Sequence, residues 1–192
     1  MIKITLNDFL KLKKEDISNK LVAFSTDTIF GVGVLLDEHV LSGVKKIYEM
    51  KKREQNKPLA LLIGHINQVQ DHIIINDEAL KLMALWPGAL TIIVSKKDDN
   101  YFPFTKDTIG LRMPNSQIAL RILNHFGPFV TTSINYSGEK PINSPEEIDY
   151  AFHEYLDYLV LDNEEHLNVS STVVDVTGKD IKILRQGSVI IK

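Results

Sequence analysis

Short apolar runs alternate with longer amphipathic segments along most of this chain. Runs of four or five apolar residues bounded by turn formers are typical of buried strands, whereas apolar positions spaced three and four apart indicate helices. The strand pattern occurs at 21–24, 59–63, 90–94, 109–113, 129–133, 158–161, 172–176 and 182–184. The helix pattern occurs at 38–50, 77–85, 116–125 and 145–152, with Asp37 and Ser144 as the expected caps of the first and last.

The order of these elements predicts one α/β domain over residues 1–192. Strands follow one another in the last third of the chain with little helix between them, so the sheet should be mixed rather than wholly parallel. The charged and aromatic segment 96–108 is the longest predicted loop. Long ordered loops often cover ligands, which makes this segment a candidate lid.

Composition narrows the functional classes. Of the 192 residues, 44% are hydrophobic and 24% are charged, as in globular proteins. There is no signal-peptide pattern and no apolar run near the ~18 residues of a membrane span, so we expect a cytoplasmic protein without membrane contact. The lack of cysteine excludes disulfides and thiolate chemistry. The net charge of -3 argues against a protein that coats nucleic acid.

Six cations and two anions lie between Lys45 and Lys57. Most of them are interpreted as the solvated end of a helix. Lys51 differs because it falls on the apolar face of the predicted helix. A buried lysine needs a partner, so Lys51 should either extend to solvent or meet an anion in a cleft. Arg53, just beyond the helix, could hold a second phosphate oxygen with its planar fork.

A segment rich in hydroxyl and amide groups, 131–138, follows a predicted strand. Open α/β sheets bind ligands beyond strand ends, but the same residues could form an ordinary polar turn, and the pattern leaves both open. Phosphate-loop and dinucleotide motifs are absent, and Gly31 with Gly33 is weak evidence for either. The six histidines are scattered and Asp98 with Asp99 is interpreted as a solvated charge cluster, so no metal site is predicted.

Seven short motifs occur in a fixed order along the chain. They are 25–33 (STDTIFGVG), 51–53 (KKR) with 57–59 (KPL), 86–91 (WPGALT), 111–114 (LRMP), 133–135 (SIN), 171–175 (STVVD) and 184–187 (LRQG). In content and order they resemble the YrdC family of threonylcarbamoyl-AMP synthases over residues 21–187. Each motif alone is weak, whereas seven in sequence are specific.

The resemblance implies a twisted mixed sheet with flanking helices around a concave, positively lined cavity. It implies a nucleotidyltransferase that makes threonylcarbamoyl-AMP and pyrophosphate from L-threonine, bicarbonate and ATP with Mg²⁺. Separate tRNA-modification proteins would take the intermediate, and direct tRNA contact should be weak. The implied residues are Lys51, Arg53, Ser133 and Asn135 for catalysis, these four with Lys57, Thr108 and Arg185 for ATP, and Thr28, Arg112, Thr131 and Ser171 for threonine.

This chain departs from the family pattern at four positions. Ser25 and Gln186 replace proline, Ile134 replaces alanine, and Leu62 stands where longer relatives often have a polar residue. Proline restricts the backbone at its own position and at the one before it, so Ser25 and Gln186 change stiffness rather than charge. The chain also ends soon after Gly187, as expected of a short family form.

Two alternatives remain at this stage. One is an RNA-binding module without synthase activity that uses the concave basic surface. The other is a carbamoyl-transfer domain like those of hydrogenase-maturation proteins, which the resemblance places in much longer chains. No general base is apparent in the sequence. We expect that none is needed, because a carbamate of threonine is already an oxygen nucleophile whose attack requires mainly alignment.

Overall fold

The computed structural model describes residues 1–97, 100–161 and 167–191. Within these residues, eleven strands form one sheet. They are β1 (Ile2–Thr5), β2 (Val22–Phe24), β3 (Gly31–Leu35), β4 (Ala60–Leu62), β5 (Ile73–Ile74), β6 (Leu90–Lys96), β7 (Thr108–Arg112), β8 (Phe129–Ser133), β9 (Tyr158–Leu161), β10 (Thr172–Asp175) and β11 (Lys182–Arg185). Their order across the sheet is β1-β9-β2-β3-β8-β4-β7-β6-β10-β11, with β5 paired to β6.

The sheet is mixed, as predicted. Strand β9 is parallel to both β1 and β2, β4 is parallel to β7, and β6 is parallel to β10. The other neighbours are antiparallel, including β3 with β8 and β8 with β4. Strands far apart in the chain therefore become neighbours, and this brings the motifs of the sequence to one surface.

The helices flank the sheet, and most of them begin at a residue whose side chain caps the helix. They are α1 (Leu6–Phe9), α2 (Lys14–Ile17), α3 (Val40–Lys51), α4 (Asp77–Met83), α5 (Gln117–Phe126) and α6 (Pro145–Phe152), with short 3₁₀ turns at Ile66–Gln68 and Gln70–His72. Ser144 Oγ accepts a hydrogen bond from the Glu147 N–H at 3.3 Å, which confirms the predicted cap of α6. Among the described residues, no helix is long and apolar enough to cross a bilayer.

The predicted start of the third helix is wrong by two residues. Helix α3 begins at Val40 and its cap residue is His39, rather than Asp37. The Asp37 carboxylate instead accepts the His39 N–H at 2.8 Å and the Ser18 hydroxyl at 2.6 Å. Asp37 thus stabilises the turn before the helix, which is the other common use of a short carboxylate side chain.

Two apolar clusters occupy opposite faces of the sheet. Strand β8 contributes Val130 to one cluster, which contains much of α3, and Phe129 to the other, which contains the apolar face of α5. Thr131 and Ser133 point to the same side as Phe129 because side chains alternate along a strand. They lie beyond the part of the sheet that α5 covers, so this concave face is left open.

The predicted loop at 96–108 is shortened by the strands at its ends, since β6 continues to Lys96 and β7 begins at Thr108. Its aromatic part packs against the protein: Phe102 is buried, and the Tyr101 ring stacks on His72 with centroids 3.6 Å apart. Asp98 and Asp99, predicted as a solvated cluster, lie outside the described residues, as does His166. Closure of this segment over a ligand stays a prediction.

Candidate active site

A cavity of about 420 Å³ lies on the open face of the sheet. Strands β4, β6, β7, β8 and β10 supply its floor, and loops at both ends supply its walls. Eight of the eleven predicted site residues line it: Thr28, Arg53, Thr108, Arg112, Thr131, Ser133, Ser171 and Arg185. Lys51, Lys57 and Asn135 do not line it.

Arg53 reaches the cavity because of the way α3 ends. Lys52 adopts a left-handed conformation with φ 49°, and the Arg53 N–H then donates to the Tyr48 carbonyl at 2.9 Å. The guanidinium donates through Nη2 to the Pro58 carbonyl at 3.1 Å. Its buried Nε is one of only two buried side-chain polar atoms without a partner among the described residues.

Lys51 is fully buried, as its position on the apolar stripe predicts, but its environment differs from both predicted alternatives. Its ammonium does not reach solvent, and it meets no anion in the part of the chain that the structure describes. It donates to the Asn135 carbonyl at 3.0 Å, to Asn135 Oδ1 at 2.6 Å and to the Ser133 carbonyl. Burial, with a smaller contribution from Arg53, lowers the pKa of Lys51 to about 7. Besides solvent and an anion, carbonyl oxygens can satisfy a buried ammonium. The position of Lys51 on the apolar face of its helix does not show which of the three it meets.

Ser133 and Asn135 form a hydrogen-bonded pair behind the cavity wall. The Ser133 hydroxyl donates to Asn135 Oδ1 at 2.8 Å, and Asn135 Nδ2 donates to the Glu139 carbonyl at 2.7 Å. Asn135 is buried, whereas Ser133 is partly exposed to the cavity. The segment 131–138 therefore contains an organised polar turn beside the cavity, and ligand binding by this turn stays a prediction.

Lys57 and Thr108 are exposed at the same end. The Lys57 side chain is 47% exposed and its ammonium lies 3.7 Å from Glu54, a weak surface pair that a stronger anion can replace. Thr108 lines the cavity at the start of β7, and its carbonyl accepts the Thr105 hydroxyl at 2.6 Å. Lys57 itself lies outside the cavity lining.

Arg112 forms the opposite end of the cavity. Its Nη2 contacts Asp27 Oδ1 at 2.5 Å, its Nη1 donates to the Thr28 hydroxyl at 2.9 Å, and its Nε donates to the Gly88 carbonyl at 3.1 Å. The side chains of Arg112 and Asp27 are only 8% and 12% exposed. Sequence reasoning missed Asp27 as a functional residue, although its place between Thr26 and Thr28 in the first motif was a usable signal.

Ser171 links the two predicted groups of contacts. Its hydroxyl lies 2.9 Å from that of Thr91 and accepts a bond from Arg185 Nη2 at 3.0 Å, while Arg185 Nε donates to the Ser171 carbonyl at 2.9 Å. Ser171 was assigned to threonine and Arg185 to ATP, so the two expected sites adjoin here. Thr131 is buried in the floor, with its hydroxyl 3.4 Å from the Ala60 carbonyl.

The dimensions and charge of the cavity limit what it can hold. Thr108 and Arg112 face the same side of β7 four residues apart, which corresponds to about 13 Å along a strand. Gly110 lies between them, and a Cβ there would be 3.4 Å from Thr91 Cγ2 and 3.8 Å from Ile93 Cγ1. The described lining residues include three arginines and no carboxylate. The cavity therefore suits an elongated anionic ligand.

Known proteins share both sequence and fold with this chain. A family model named for Sua5, YciO and YrdC, and described as telomere recombination, matches residues 17–187. A Methanocaldococcus jannaschii protein, provisionally named threonylcarbamoyl-AMP synthase, is 34% identical over 92% of this chain and 84% of that protein. The threonylcarbamoyl-AMP synthase of Pyrococcus abyssi is 32% identical over 88% of this chain but only 50% of its own length.

A solved structure, Pyrococcus abyssi Sua5 in complex with L-threonine, matches with a TM-score of 0.84 at 30% identity, covering 97% of this chain and 58% of that one. This chain thus spans about half the length of its P. abyssi relative. The fold and the family expected from the seven motifs are confirmed, and the chain belongs to the Sua5/YciO/YrdC family.

Proposed function

We propose that this protein is a threonylcarbamoyl-AMP synthase, a nucleotidyltransferase that forms threonylcarbamoyl-AMP and pyrophosphate from L-threonine, bicarbonate and ATP. The observation that carries the proposal is the single cavity with Arg53 and Ser133 at one end and Arg112 with Thr28 at the other. Relatives named for this activity support it, and so does the L-threonine bound by the P. abyssi protein. They do not favour the RNA-binding alternative.

The amino-acid substrate binds at the Arg112 end. Three of the five guanidinium N–H groups already hold Asp27, Thr28 and the Gly88 carbonyl, which fixes the plane of the fork. The other two are available for the carboxylate of threonine, whose bidentate geometry matches an arginine. Thr131 and Ser171 add hydroxyl groups on the floor beside it.

ATP binds toward the Ser133 end, with its phosphates near Arg53. The guanidinium of Arg53, whose side chain lines the cavity, donates to the phosphates, and Lys57 leaves its exposed pair with Glu54 to reach them. Thr108 lies on the nucleotide side, and Arg185 reaches the site from beside Ser171. Arg53 and Arg185, unlike Arg112, have no carboxylate partner among the described residues, so the negative charge of the phosphates compensates them.

Magnesium enters with ATP in this proposal. Among the described residues, no group of three His, Asp or Glu side chains is placed to hold a metal ion. The ion would be held by the phosphate oxygens of ATP and by water, as is common for Mg²⁺.

The reaction needs alignment more than acid–base chemistry. Threonine and bicarbonate give a carbamate and water; a carbamate oxygen then bonds to the α-phosphorus of ATP, and the bond to pyrophosphate breaks. Holding the carboxylate of threonine at Arg112 and the phosphates at Arg53 brings these atoms together above Gly110. The product passes to separate tRNA-modification proteins.

Pyrophosphate release from ATP tests the proposal. We expect release that depends on L-threonine and bicarbonate together, with little activity when serine replaces threonine. Arg53→Met should lower kcat/KM about 100-fold, since it removes charge stabilisation of the leaving group. Lys45→Met, which changes an exposed cation on the same helix, should leave it unchanged. Release that ignores threonine, or an Arg53 variant with full activity, contradicts the assignment.

A further inference from the structure

The Lys51 ammonium does not have the geometry of a direct nucleotide contact. Its side chain has no exposed surface and lies outside the cavity lining, although Arg53 and Ser133 beside it both line the cavity. An ammonium has three N–H donors, and here the acceptors are the Ser133 carbonyl, the Asn135 carbonyl and Asn135 Oδ1. A phosphate oxygen could bind Lys51 only by displacing one of these carbonyls.

Lys51 joins the end of α3 to the turn at 133–139. Its own carbonyl accepts the Ser137 N–H at 2.9 Å, while its ammonium holds the main chain at Ser133 and Asn135. The same helix end sets the direction of Arg53. One residue therefore fixes the relative positions of Arg53 and Ser133, the two groups that face the phosphates in the proposed function.

Asn135 Oδ1 accepts two hydrogen bonds, one from Lys51 Nζ at 2.6 Å and one from Ser133 Oγ at 2.8 Å. The bond from Asn135 Nδ2 to the Glu139 carbonyl keeps the amide in this orientation. If the Ser133 hydroxyl rotates to donate to a phosphate oxygen, Oδ1 still has Lys51 as a donor. The rotation then leaves no buried acceptor unpaired, so its cost is small.

We propose that Lys51 is a positioning residue that acts through Asn135 and Ser133. It holds the turn in place and allows the Ser133 hydroxyl to move from Asn135 to the phosphate, and it does not touch the nucleotide. The identity of the ligand rests on the proposed function, whereas the role of Lys51 in ordering the turn does not.

A double-mutant cycle distinguishes this role from a direct contact. Lys51→Met removes the three donors at nearly constant length, and Ser133→Ala removes the hydroxyl. Each alone should lower kcat/KM for ATP about 100-fold, as expected when a reacting group is misplaced. In the Ser133→Ala background, Lys51→Met should add less than a threefold loss. Losses that multiply in the double variant overturn the proposal, because they show that Lys51 acts independently of Ser133.

Hydrogen exchange provides a readout that does not depend on turnover. Lys51→Met should accelerate exchange in the peptide that spans 133–139, whereas Lys45→Met on the same helix should not. If the wild-type protein releases no pyrophosphate, the proposed function fails while this exchange result still decides the role of Lys51. Unchanged exchange in the folded Lys51→Met variant overturns the positioning role.

A second variant covers the case in which Lys51→Met does not fold. Asn135→Ala removes the acceptor shared by Lys51 and Ser133 but keeps the lysine charge. A positioning role predicts that this variant loses as much kcat/KM as Ser133→Ala. A direct phosphate contact by Lys51 predicts nearly wild-type kcat/KM, and that outcome rejects the proposal.

Discussion

Two cations are buried at opposite ends of the cavity, and the protein accommodates them in different ways. Arg112 pairs with the carboxylate of Asp27, whereas Lys51 is surrounded by carbonyl oxygens. The register of β4 places Leu62 beside both Arg112 and Phe129, so Ser133, four residues further along β8, lies at the far end from Arg112.

Because one cation has a carboxylate partner and the other has only carbonyl partners, the two ends differ in net charge. At the Arg112 end the Asp27 carboxylate compensates the charge of Arg112, and the remaining positive charge is that of Arg185 beside Ser171. At the Lys51 end no carboxylate among the described residues accepts from the ammonium, and Arg53 adds a second positive charge. The Lys51 end, with the uncompensated charges of Lys51 and Arg53, is the one proposed to bind ATP, the more highly charged substrate.

The largest effect on stability is expected from removing Asp27, the carboxylate that pairs with Arg112. Asp27→Ala leaves the Arg112 guanidinium buried without a counter-ion and should lower the free energy of unfolding by about 3–5 kcal/mol. Chemical denaturation measures this. Glu49→Ala, which breaks the exposed pair with Lys45, is the matched control and should have little effect. A loss at Asp27 no larger than at Glu49 would remove the distinction between the two ends.

A side chain placed between the ends should uncouple them. Gly110→Val has room at Cβ, but its methyl groups enter the cavity floor, so kcat/KM should fall about 100-fold while the melting temperature stays near that of the wild type. Threonine and ATP, titrated separately, should each lose far less affinity than the joint reaction loses rate. Unchanged turnover would show that the substrates do not meet above this glycine.

The smallest effect is a dependence of stability on pH that only the Lys51 end should show. The pKa of Lys51 is about 7 in the folded protein against an ordinary value of 10.5. Between these values the unfolded chain binds the additional proton, so stability should rise with pH, by about 1 kcal/mol from pH 7 to 8. Below about pH 6 both states are almost fully protonated and this contribution is constant.

Unfolding measured at pH 6, 7 and 8 tests this, with Lys51→Met as the reference that lacks the titrating group. The rise should be present in the wild type and absent in the variant. A wild type whose stability tracks that of the variant across this range would mean that Lys51 keeps an ordinary pKa. Arginine stays protonated throughout this range, so the Arg112 end should contribute no such slope.

Strong local patterns were sufficient to predict much of the fold. Strands β8 and β9 and helix α6 have the predicted bounds, since each combines a clear periodicity with turn or capping residues at its ends. Strand β3 was missed because Gly31 and Gly33 resemble a turn. A Cβ on Gly33 would lie 2.6 Å from Thr131 Cγ2 and 3.1 Å from the Val130 carbonyl. Position 33 therefore requires glycine because β8 lies so close to it. This requirement comes from another strand and cannot be recognised in the sequence around Gly33.

The candidate site was predicted in content but not in arrangement. Periodicity identified Lys51 as buried, yet the acceptors of its ammonium come from a turn more than eighty residues away. Family motifs grouped Arg112 with Thr28, but the partner that balances Arg112 is Asp27, which the sequence did not single out. Contacts between distant segments depend on strand order, and strand order is not encoded in local periodicity.

Strand order also affects how the protein is made. Strand β9 lies between β1 and β2, so the first strands cannot complete their pairing until residues 158–161 have been synthesised. At the usual rates of translation, β2 waits roughly 7–27 s for β9. Throughout that interval the edge of β2 that later pairs with β9 lacks its partner, and an unpaired strand edge is a template for pairing with other chains.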